Sequence, residues 1–249
     1  MTDGAADPTV WRPDAEWTPA APETGTVDIW ILDLTARPED WKLLDDEETE
    51  SARRVRVEGK RHQKVAGRAH LRRILGRVLG RAPADLTLEY GPHGKPILPD
   101  VPGLEFNLSH TSRTGLVAVT WNTRVGVDVE KERDLRLMAR VAERFFAVGE
   151  YEAWSRLPES ERRAAFFRLW TLKEAYLKAW GTGLTFASSR FEMDAPAHGD
   201  PRLVRTEMPG DDGPLWRFHD LSVRTGFAGA VCYEGSERPL RCWTATASR

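Results

Sequence analysis

Hydrophobic residues along the chain follow two periods, one typical of strands and one typical of helices. The apolar stretches at 27–34 and 104–121, and the segment VGVDVE that follows Arg124, predict buried strands. Apolar residues that recur three or four positions apart predict helices over 62–80 and over 159–180, the second ending at GTGL. Because strands and helices are mixed along the chain, the pattern predicts an α/β (α+β) fold.

A weak internal repeat suggests how these elements are grouped. SRTGLVAV at 112–119 resembles VRTGFAGAV at 223–231, and each segment follows an apolar-aromatic one. Turn chemistry is restricted, so a single repeated pair also arises by chance. With the Pro- and Ala-rich start of the chain, the repeat predicts a flexible N-terminal arm over 1–25, a first subdomain over 26–122 and a second subdomain over 123–249.

Composition and charge narrow the class of protein. The hydrophobic fraction of 41%, the charged fraction of 30% and the net charge of −2 are ordinary for a globular protein and imply no global attraction to nucleic acid or to a membrane. No apolar run approaches the roughly 18 residues of a membrane span. Cys232 and Cys242 have neither metal-site nor disulfide-framework spacing, so we expect thiols and a cytoplasmic protein.

Two acids interrupt the strand predicted within GVDVEKER. Asp128 and Glu130 are two residues apart, so both project from one face of the strand, where like charges repel each other. One interpretation is an edge strand with a solvated polar face. The other is a divalent cation, since Mg²⁺ prefers carboxylate oxygens. A solvated face is the usual reading of an isolated D-x-E, and the apolar neighbours Val125, Val127 and Val129 weaken it without deciding the matter.

A second pair of charges lies on the helix predicted over 159–180. Glu174 and Lys178 are four residues apart and therefore share one face. A surface ion pair is one reading of this spacing and is common. The alternative places Glu174 on a metal ion and Lys178 on a phosphoryl oxygen or a leaving group.

The segment FNLSHT, residues 106–111, contains Ser109 and His110. Adjacent residues of a strand point to opposite faces, so these two cannot readily form a nucleophile–base pair with each other, and the chain has no G-x-S-x-G elbow. A contact to a phosphate is the more economical role. A polar strand end is the alternative.

Basic residues recur at the start of the helix predicted over 62–80 and along it. One more lies in the Gly/Pro turn that follows the next predicted strand. Arg61, Lys64, Arg68 and Arg72 form a basic edge, and a Gly/Pro turn presents Lys95. These residues are either a solvated helix face or an anion site for a phosphorylated ligand. Aromatic residues suited to base stacking are missing from 53–81, so nucleic-acid binding gains little support.

Taken in order, GKP, FNLSHT, VGVDVE, RFF…E and FFRLWTLKEAYLKAWGTGL resemble the 4′-phosphopantetheinyl transferase family, in its larger single-chain type that is similar to the surfactin-synthetase-activating enzyme. The resemblance covers about 45–195. The W-x-x-K-E-A-x-x-K element from Trp170 to Lys178 is its most specific part, together with the G-V-D-V-E segment. It implies two similar subdomains related by a pseudo-twofold axis, with coenzyme A bound between them.

The resemblance also implies roles for single residues. Asp128, Glu130 and Glu174 would hold Mg²⁺, with Glu174 and Lys178 as the catalytic pair. The residues expected to bind coenzyme A, including its 3′-phosphate, are Lys95, Ser109 and His110. Where the family has basic residues just upstream of the position of Arg53, this chain has DDEETE, so the substitutes predicted are Arg54, Arg61, Lys64 and Arg68. Glu150 matches an acidic position of the family without an assigned role.

The activity that the resemblance implies is transfer of the 4′-phosphopantetheine arm of coenzyme A to a serine of an apo carrier protein of fatty-acid, polyketide or nonribosomal peptide biosynthesis. Adenosine 3′,5′-bisphosphate would leave, and a monomer would dock the carrier through the segment between Asp134 and Arg163. Two alternatives stay open: another Mg²⁺-dependent phosphoryl or nucleotidyl transfer enzyme, and a non-catalytic coenzyme A-binding protein.

Overall fold

The computed structural model describes residues 10–19, 25–91, 93–183, 186–196, 199–211 and 215–245. The helices are α1 (Asp46–Arg53), α2 (Glu58–Leu79), α3 (Met138–Phe145), α4 (Val148–Ser155) and α5 (Glu159–Trp180). The strands are β1 (Arg12–Pro13), β2 (Val27–Asp33), β3 (Glu89–Tyr90), β4 (Pro96–Ile97), β5 (Leu104–Thr111), β6 (Thr114–Trp121), β7 (Val125–Lys131), β8 (Phe191–Asp194), β9 (Arg202–Thr206), β10 (Trp216–Asp220), β11 (Phe227–Glu234) and β12 (Leu240–Thr244).

The two long helices are the helices predicted from the apolar spacing. Both contain 22 residues, and each ends at a glycine with a left-handed backbone, Gly80 with φ 64° and Gly181 with φ 72°. Glycine adopts this conformation without the steric cost that a Cβ imposes, so it is the usual residue after the last helical turn. The mixed α+β fold class is confirmed.

The strands form two main sheets. The first has the order β1-β12-β2-β6-β5, and the second has the order β10-β11-β7. Within the first, β2, β6 and β5 pair antiparallel; within the second, β7, β11 and β10 do the same. The hairpins β3–β4 and β8–β9 complete the strands of the described residues.

The order of elements repeats between the two halves. The first half runs β2–α2–β5–β6 and the second runs β7–α5–β10–β11. In each half the last strand lies between the other two strands and pairs with both. The similar segments 112–119 and 223–231 include the starts of β6 and β11, which are equivalent in this order. The repeat in topology agrees with two similar subdomains, and their relation by a pseudo-twofold axis stays a prediction.

Three apolar cores hold these elements together. One lies between α2 and the first sheet and contains Trp30 and Leu71, and a second surrounds α5 and contains Tyr176. The third contains Ile29 from β2 and Val231 from β11, so it joins the two sheets. This shared core brings the edge strands β5 and β7 of the two sheets side by side.

The ends of the chain depart from the predicted division. Residues 10–19, most of the described part of the expected flexible arm, are packed: Trp17 is buried in the first core, and Arg12–Pro13 pairs with β12. Residues 1–9 and 20–24 lie outside the described residues. β12 comes from the range 123–249 but lies in the first sheet, parallel to β2. A boundary near residue 122 stays a prediction and does not apply to this last strand.

Candidate functional site

β7 lies directly against α5, and a glycine permits the close approach. A Cβ on Gly126 would stand 2.0 Å from the carbonyl oxygen of Ala175 and 2.5 Å from the amide nitrogen of Ala179, which no side chain tolerates. Gly126, Asp128 and Glu130 alternate along the strand and therefore share the face that meets α5. The close contact thus brings both strand acids toward Glu174.

Asp128 is a buried carboxylate with an unusual set of neighbours. It is only 3% exposed, so the solvated edge strand considered above is excluded. Ser109 Oγ donates to Asp128 Oδ1 at 2.6 Å, and the Lys178 ammonium also donates to that oxygen. Among the described residues, the second oxygen Oδ2 has no hydrogen-bond partner. A buried carboxylate oxygen without a partner is costly, so the site is suited to a cation.

Glu130 and Glu174 complete the group of acids. Burial raises the pKa of Glu130, and the nearby Asp128 charge raises it further, while a 3.2 Å hydrogen bond from Thr111 Oγ1 opposes the shift. Burial, followed by repulsion from Asp128, raises the pKa of Glu174 to about 7, with Lys178 acting in the opposite direction. Burial and repulsion from Asp128 therefore disfavour the charged forms of Glu130 and Glu174.

The three acids differ from a preformed metal site in their present arrangement. No three His, Cys, Asp or Glu side chains of the described ranges stand close enough together to form a ready metal cluster. Instead, Lys178 forms an ion pair with Asp128, so the surface pair with Glu174 considered above is not what is found. The donors are nevertheless all carboxylate oxygens and include the unpartnered Asp128 Oδ2. Carboxylate oxygens are the ligands that Mg²⁺ prefers, so the donor type fits the predicted metal, and its binding here stays a prediction.

A basic cavity of about 620 Å³ opens beside the acids, between α2, β5 and the end of α5. Its charged or ionisable lining residues are Lys60, Lys64, Arg68, His93, Lys95, His110 and Lys178. Of the described residues that line it, none is acidic. Ser109 lines it as well, so Ser109 and Lys178 belong both to the cavity and to the acid group.

The cavity contains most of the residues predicted to bind the nucleotide. Lys64 and Arg68 face it, whereas Arg54 and Arg61 are not among its lining residues. Arg61 lies instead near the carbonyl of Val55, and Arg54 follows the last turn of α1. The proposed roles of Arg54 and Arg61 therefore gain no support from the geometry. Arg68 Nη1 is buried without a hydrogen-bond partner in the described part of the chain, which leaves a donor available to an anion.

Two cavity residues, Lys60 and His93, were not predicted. Lys60 precedes the run of basic residues at three- and four-residue spacing, and it could have been included as the residue four positions before Lys64. His93 lies in the turn of GPHGKP, two residues before Lys95. Because the turn folds over the end of α5, only the tertiary structure shows that His93 faces the same cavity.

The acidic stretch DDEETE serves to hold α2. Asp45 and Glu48 form a capping box at the start of α1, and both accept hydrogen bonds from Arg72, which is fully buried. Glu48 also accepts from Tyr90 and lies 3.9 Å from Arg68 Nε. Arg72, grouped with the basic edge in the sequence, is therefore a buried structural residue. The departure from the family pattern supplies acids that orient the basic helix.

The contacts of Glu150 indicate a structural role. Both of its carboxylate oxygens lie 2.7 Å from Lys173 Nζ, and they also accept from the backbone amides of Ala147 and Met193. Burial lowers the pKa of Lys173 to about 8, against the opposing effect of Glu150. The pair links α4, α5 and β8. It fixes the helix that carries Glu174 without itself reaching the cavity.

The described residues include no helix that is both long enough and apolar enough to cross a membrane.

Comparisons with known proteins agree with the motifs. The family model described as the 4′-phosphopantetheinyl transferase superfamily matches residues 124–232. The chain is 38% identical over 239 residues to the 4′-phosphopantetheinyl transferase HetI of Nostoc sp. PCC 7120, which covers 91% of this chain and 97% of the relative. It is 28% identical over 190 residues to the 4′-phosphopantetheinyl transferase Sfp of Bacillus subtilis, covering 76% and 82% of the two chains.

Among solved structures, a holo-(acyl-carrier-protein) synthase from Bacillus anthracis in complex with CoA (3′,5′-ADP) is 24% identical and aligns with a TM-score of 0.39 over 46% of this chain and 98% of that chain. The family assignment comes from the sequence relatives. With 38% identity over nearly the full length of both proteins, the chain belongs to the 4′-phosphopantetheinyl transferase superfamily of enzymes.

Proposed function

We propose that this enzyme transfers the 4′-phosphopantetheine arm of coenzyme A to a serine hydroxyl of an apo carrier protein, in a Mg²⁺-dependent reaction that releases adenosine 3′,5′-bisphosphate. The observation that carries the proposal is that a basic cavity and a group of three acids meet at Lys178 and Ser109. Such a site can bind an anionic nucleotide at one end and a metal-bound pyrophosphate at the other.

The basic cavity would hold the nucleotide end of coenzyme A. Lys64, Arg68 and Lys95 present cations without an acidic residue among the described lining, a field suited to the 3′-phosphate. Burial, and then the charges of Lys178 and Arg68, lower the pKa of His110. A bound phosphate would reverse these electrostatic effects, so His110 would gain a proton as the ligand binds.

The acid group would hold Mg²⁺ through Asp128, Glu130 and Glu174. When bound, Mg²⁺ would neutralise charge on the pyrophosphate and on the leaving phosphate. Lys178 would leave Asp128 and contact a phosphate oxygen. Its side chain is 27% exposed and lies at the cavity, so it is placed to move between the two anions.

The transfer step forms one bond and breaks another. The serine oxygen of the carrier bonds to the β-phosphorus of coenzyme A, and the bond from that phosphorus to the oxygen of the α-phosphate breaks. Glu174, directly or through a water molecule, takes the serine proton. Lys178 stabilises the charge that develops on the departing adenosine 3′,5′-bisphosphate. The nucleophile belongs to the carrier.

The carrier would dock on the segment between Asp134 and Arg163. Around α3 this segment exposes the cations Arg136, Arg140 and Arg144, together with Leu137 at 56% and Val148 at 74% exposure. Carrier proteins of the type implied by the family are acidic helical bundles, so basic charge beside apolar side chains is the complementary surface. We further propose that the enzyme acts as a cytoplasmic monomer.

The test is incubation of the full chain with coenzyme A, Mg²⁺ and a panel of apo carriers from fatty-acid, polyketide and peptide synthesis. Intact-mass spectrometry should show one phosphopantetheine arm on at least one carrier, together with released adenosine 3′,5′-bisphosphate. Omission of Mg²⁺ with EDTA present should abolish the mass gain. Binding of coenzyme A without transfer to any carrier would contradict the proposal and favour a binding protein. Nucleotide cleavage without a carrier would favour a different phosphoryl transfer enzyme.

A further inference from the structure

Three polar residues that alternate along β5 each contact β7. Asn107 Oδ1 accepts from the backbone amide of Val127 at 2.9 Å. Ser109 Oγ donates to Asp128 Oδ1 at 2.6 Å, and Thr111 Oγ1 donates to Glu130 Oε2 at 3.2 Å. Later residues of β5 contact later residues of β7, so the three contacts follow the same order along both strands. We call Asn107, Ser109 and Thr111 the β5 polar row.

The row links two sheets that backbone ladders do not join. β5 is the edge of the first sheet and pairs with β6, and β7 is the edge of the second sheet and pairs with β11. Asn107 is 5% exposed, and its amide oxygen satisfies the backbone amide of Val127 from outside the β7–β11 ladder. One member of the row therefore anchors the strand, and the next two hold its acids.

Hydrogen bonds of this kind would fix carboxylates that otherwise repel each other. The charge of Asp128 acts on Glu130, and both are partly or fully buried. Each free carboxylate would rotate to increase its distance from the other. A hydroxyl donor on one oxygen of each acid restricts that rotation and leaves the second oxygen for a ligand, as outer partners of metal ligands commonly do.

We propose that the β5 polar row is a positioning device that orients Asp128 and Glu130 for divalent-cation binding, so the first half of the chain sets the geometry of a metal site whose ligands all come from the second half. The inference rests on the proposed function for the identity of the metal site. Thr111 is a positioning residue in this scheme, because its hydroxyl acts through Glu130 and it does not line the cavity.

The experiment compares Thr111→Val, Thr111→Ser and Thr114→Val in the full chain. Valine retains the shape of threonine and removes the hydroxyl. Thr114 is the matched control, since it pairs with Thr111 across the β5–β6 hairpin and its buried hydroxyl has no hydrogen-bond partner among the described residues. Free Mn²⁺ is titrated by EPR with coenzyme A present, and thermal unfolding is recorded for each variant without metal.

Thr111→Val should weaken Mn²⁺ binding about tenfold, the lower end of what loss of an outer partner causes. Thr111→Ser should restore most of the affinity, and Thr114→Val should bind as the wild type does. The metal-free melting temperatures of Thr111→Val and Thr111→Ser should agree, because the row acts on ligand orientation.

Unchanged Mn²⁺ affinity in Thr111→Val would overturn the inference, as would an equal loss in Thr111→Ser or in Thr114→Val. Ser109→Ala provides a second measurement and should weaken Mn²⁺ binding in the same assay. Phosphopantetheine transfer by the wild type, measured separately, distinguishes failure of this inference from failure of the proposed function. If the wild type transfers the arm and binds Mn²⁺, and the Thr111 variants bind Mn²⁺ with the same affinity, only the positioning role of the β5 polar row is contradicted. If the wild type does neither, the proposed function fails as well.

Discussion

Lys178 of α5 forms an ion pair with Asp128 of β7, so a residue expected to contact phosphate and one expected to bind metal neutralise each other. The pair is asymmetric, because Lys178 can reach solvent at the cavity while Asp128 is buried. Removal of the aspartate charge therefore leaves no buried charge without a partner. It also removes the repulsion that Asp128 exerts on its two neighbouring glutamates.

We predict that Asp128→Asn keeps or slightly raises the thermal stability and lowers transfer by at least about a hundredfold, the scale of losing a group that organises transition-state charge. Differential scanning calorimetry and the carrier mass assay measure the two effects. Asp100→Asn is the matched control, because Asp100 is 51% exposed, forms an ion pair with Arg81 and does not line the cavity. Full transfer activity in Asp128→Asn would rule out the metal assignment.

Gly126→Ala should be strongly destabilising. Its Cβ would overlap the backbone of α5 at Ala175 and Ala179, and main-chain atoms cannot rotate away as a side chain does. We expect the free energy of unfolding to fall by about 3 kcal/mol, at the upper range for overpacking. Urea denaturation measures the change.

The control for this glycine is Gly59→Ala. Gly59 lies in α2, and a Cβ there meets nothing within 4 Å. Alanine at an open helical position should stabilise by about 0.5–1 kcal/mol. If Gly126→Ala unfolded at the same urea concentration as the wild type, the contact between β7 and α5 would be looser than the structure shows.

The buried pair of Lys173 and Glu150 should behave differently from a surface pair. Lys173→Met leaves the Glu150 carboxylate buried with only backbone donors, and we expect a loss of about 3–5 kcal/mol in the free energy of unfolding. A double-mutant cycle with Glu150→Gln isolates the coupling energy. Chemical denaturation of the four proteins supplies the data.

Arg156 and Glu152 provide the comparison, because they are also in contact, 3.0 Å apart, but on an exposed helix face. Arg156→Met should cost less than about 0.5 kcal/mol. A similarly small cost for Lys173→Met would show that the buried lysine does not hold α5 against α4 and β8.

The His110 side chain should report phosphate binding. Its pKa is lowered in the free protein by burial and by the cations Lys178 and Arg68, so it is mostly neutral at pH 7. Bound adenosine 3′,5′-bisphosphate would favour the protonated ring and raise the pKa. Because the complex then binds more protons than the free protein, affinity should rise as the pH falls through the pKa of the complex.

NMR titration of the imidazole C2 proton, with and without the nucleotide, tests this expectation. His62 serves as the internal control, since it lies on the exposed side of α2 and does not line the cavity. The His62 signal should titrate identically in both samples. A His110 pKa that falls or does not move on nucleotide binding would place the phosphate elsewhere.

Local patterns were sufficient for the long elements and for most single residues of the site. The span of α5 is that of the predicted helix at 159–180, because apolar spacing and the terminal Gly181 both act within one helix. The acid pair Asp128 and Glu130 was visible because an apolar strand makes any charge conspicuous. Motif position predicts Lys95 and His110, the spacing of basic residues predicts Lys64, and all three lie at one cavity.

Contacts between distant segments could not be obtained in this way. Arg54, Arg61, Lys64 and Arg68 look alike in sequence, yet of these four only Lys64 and Arg68 face the cavity. Which of them does so depends on where α1 ends and on how α2 is rotated against β5. The role of Glu150 likewise required Lys173 and β8 to be brought beside it.

The sequence by itself determined the elements, the family and the types of residue at the site, because propensity, capping and motif spacing operate over a few turns or strands. Only the tertiary structure decided that β12 returns to the first sheet, that Lys178 neutralises Asp128, and that the β5 polar row holds the acids of β7. These contacts join residues far apart in the chain. Their geometry depends on the packing of both sheets around a shared core, which no local pattern specifies.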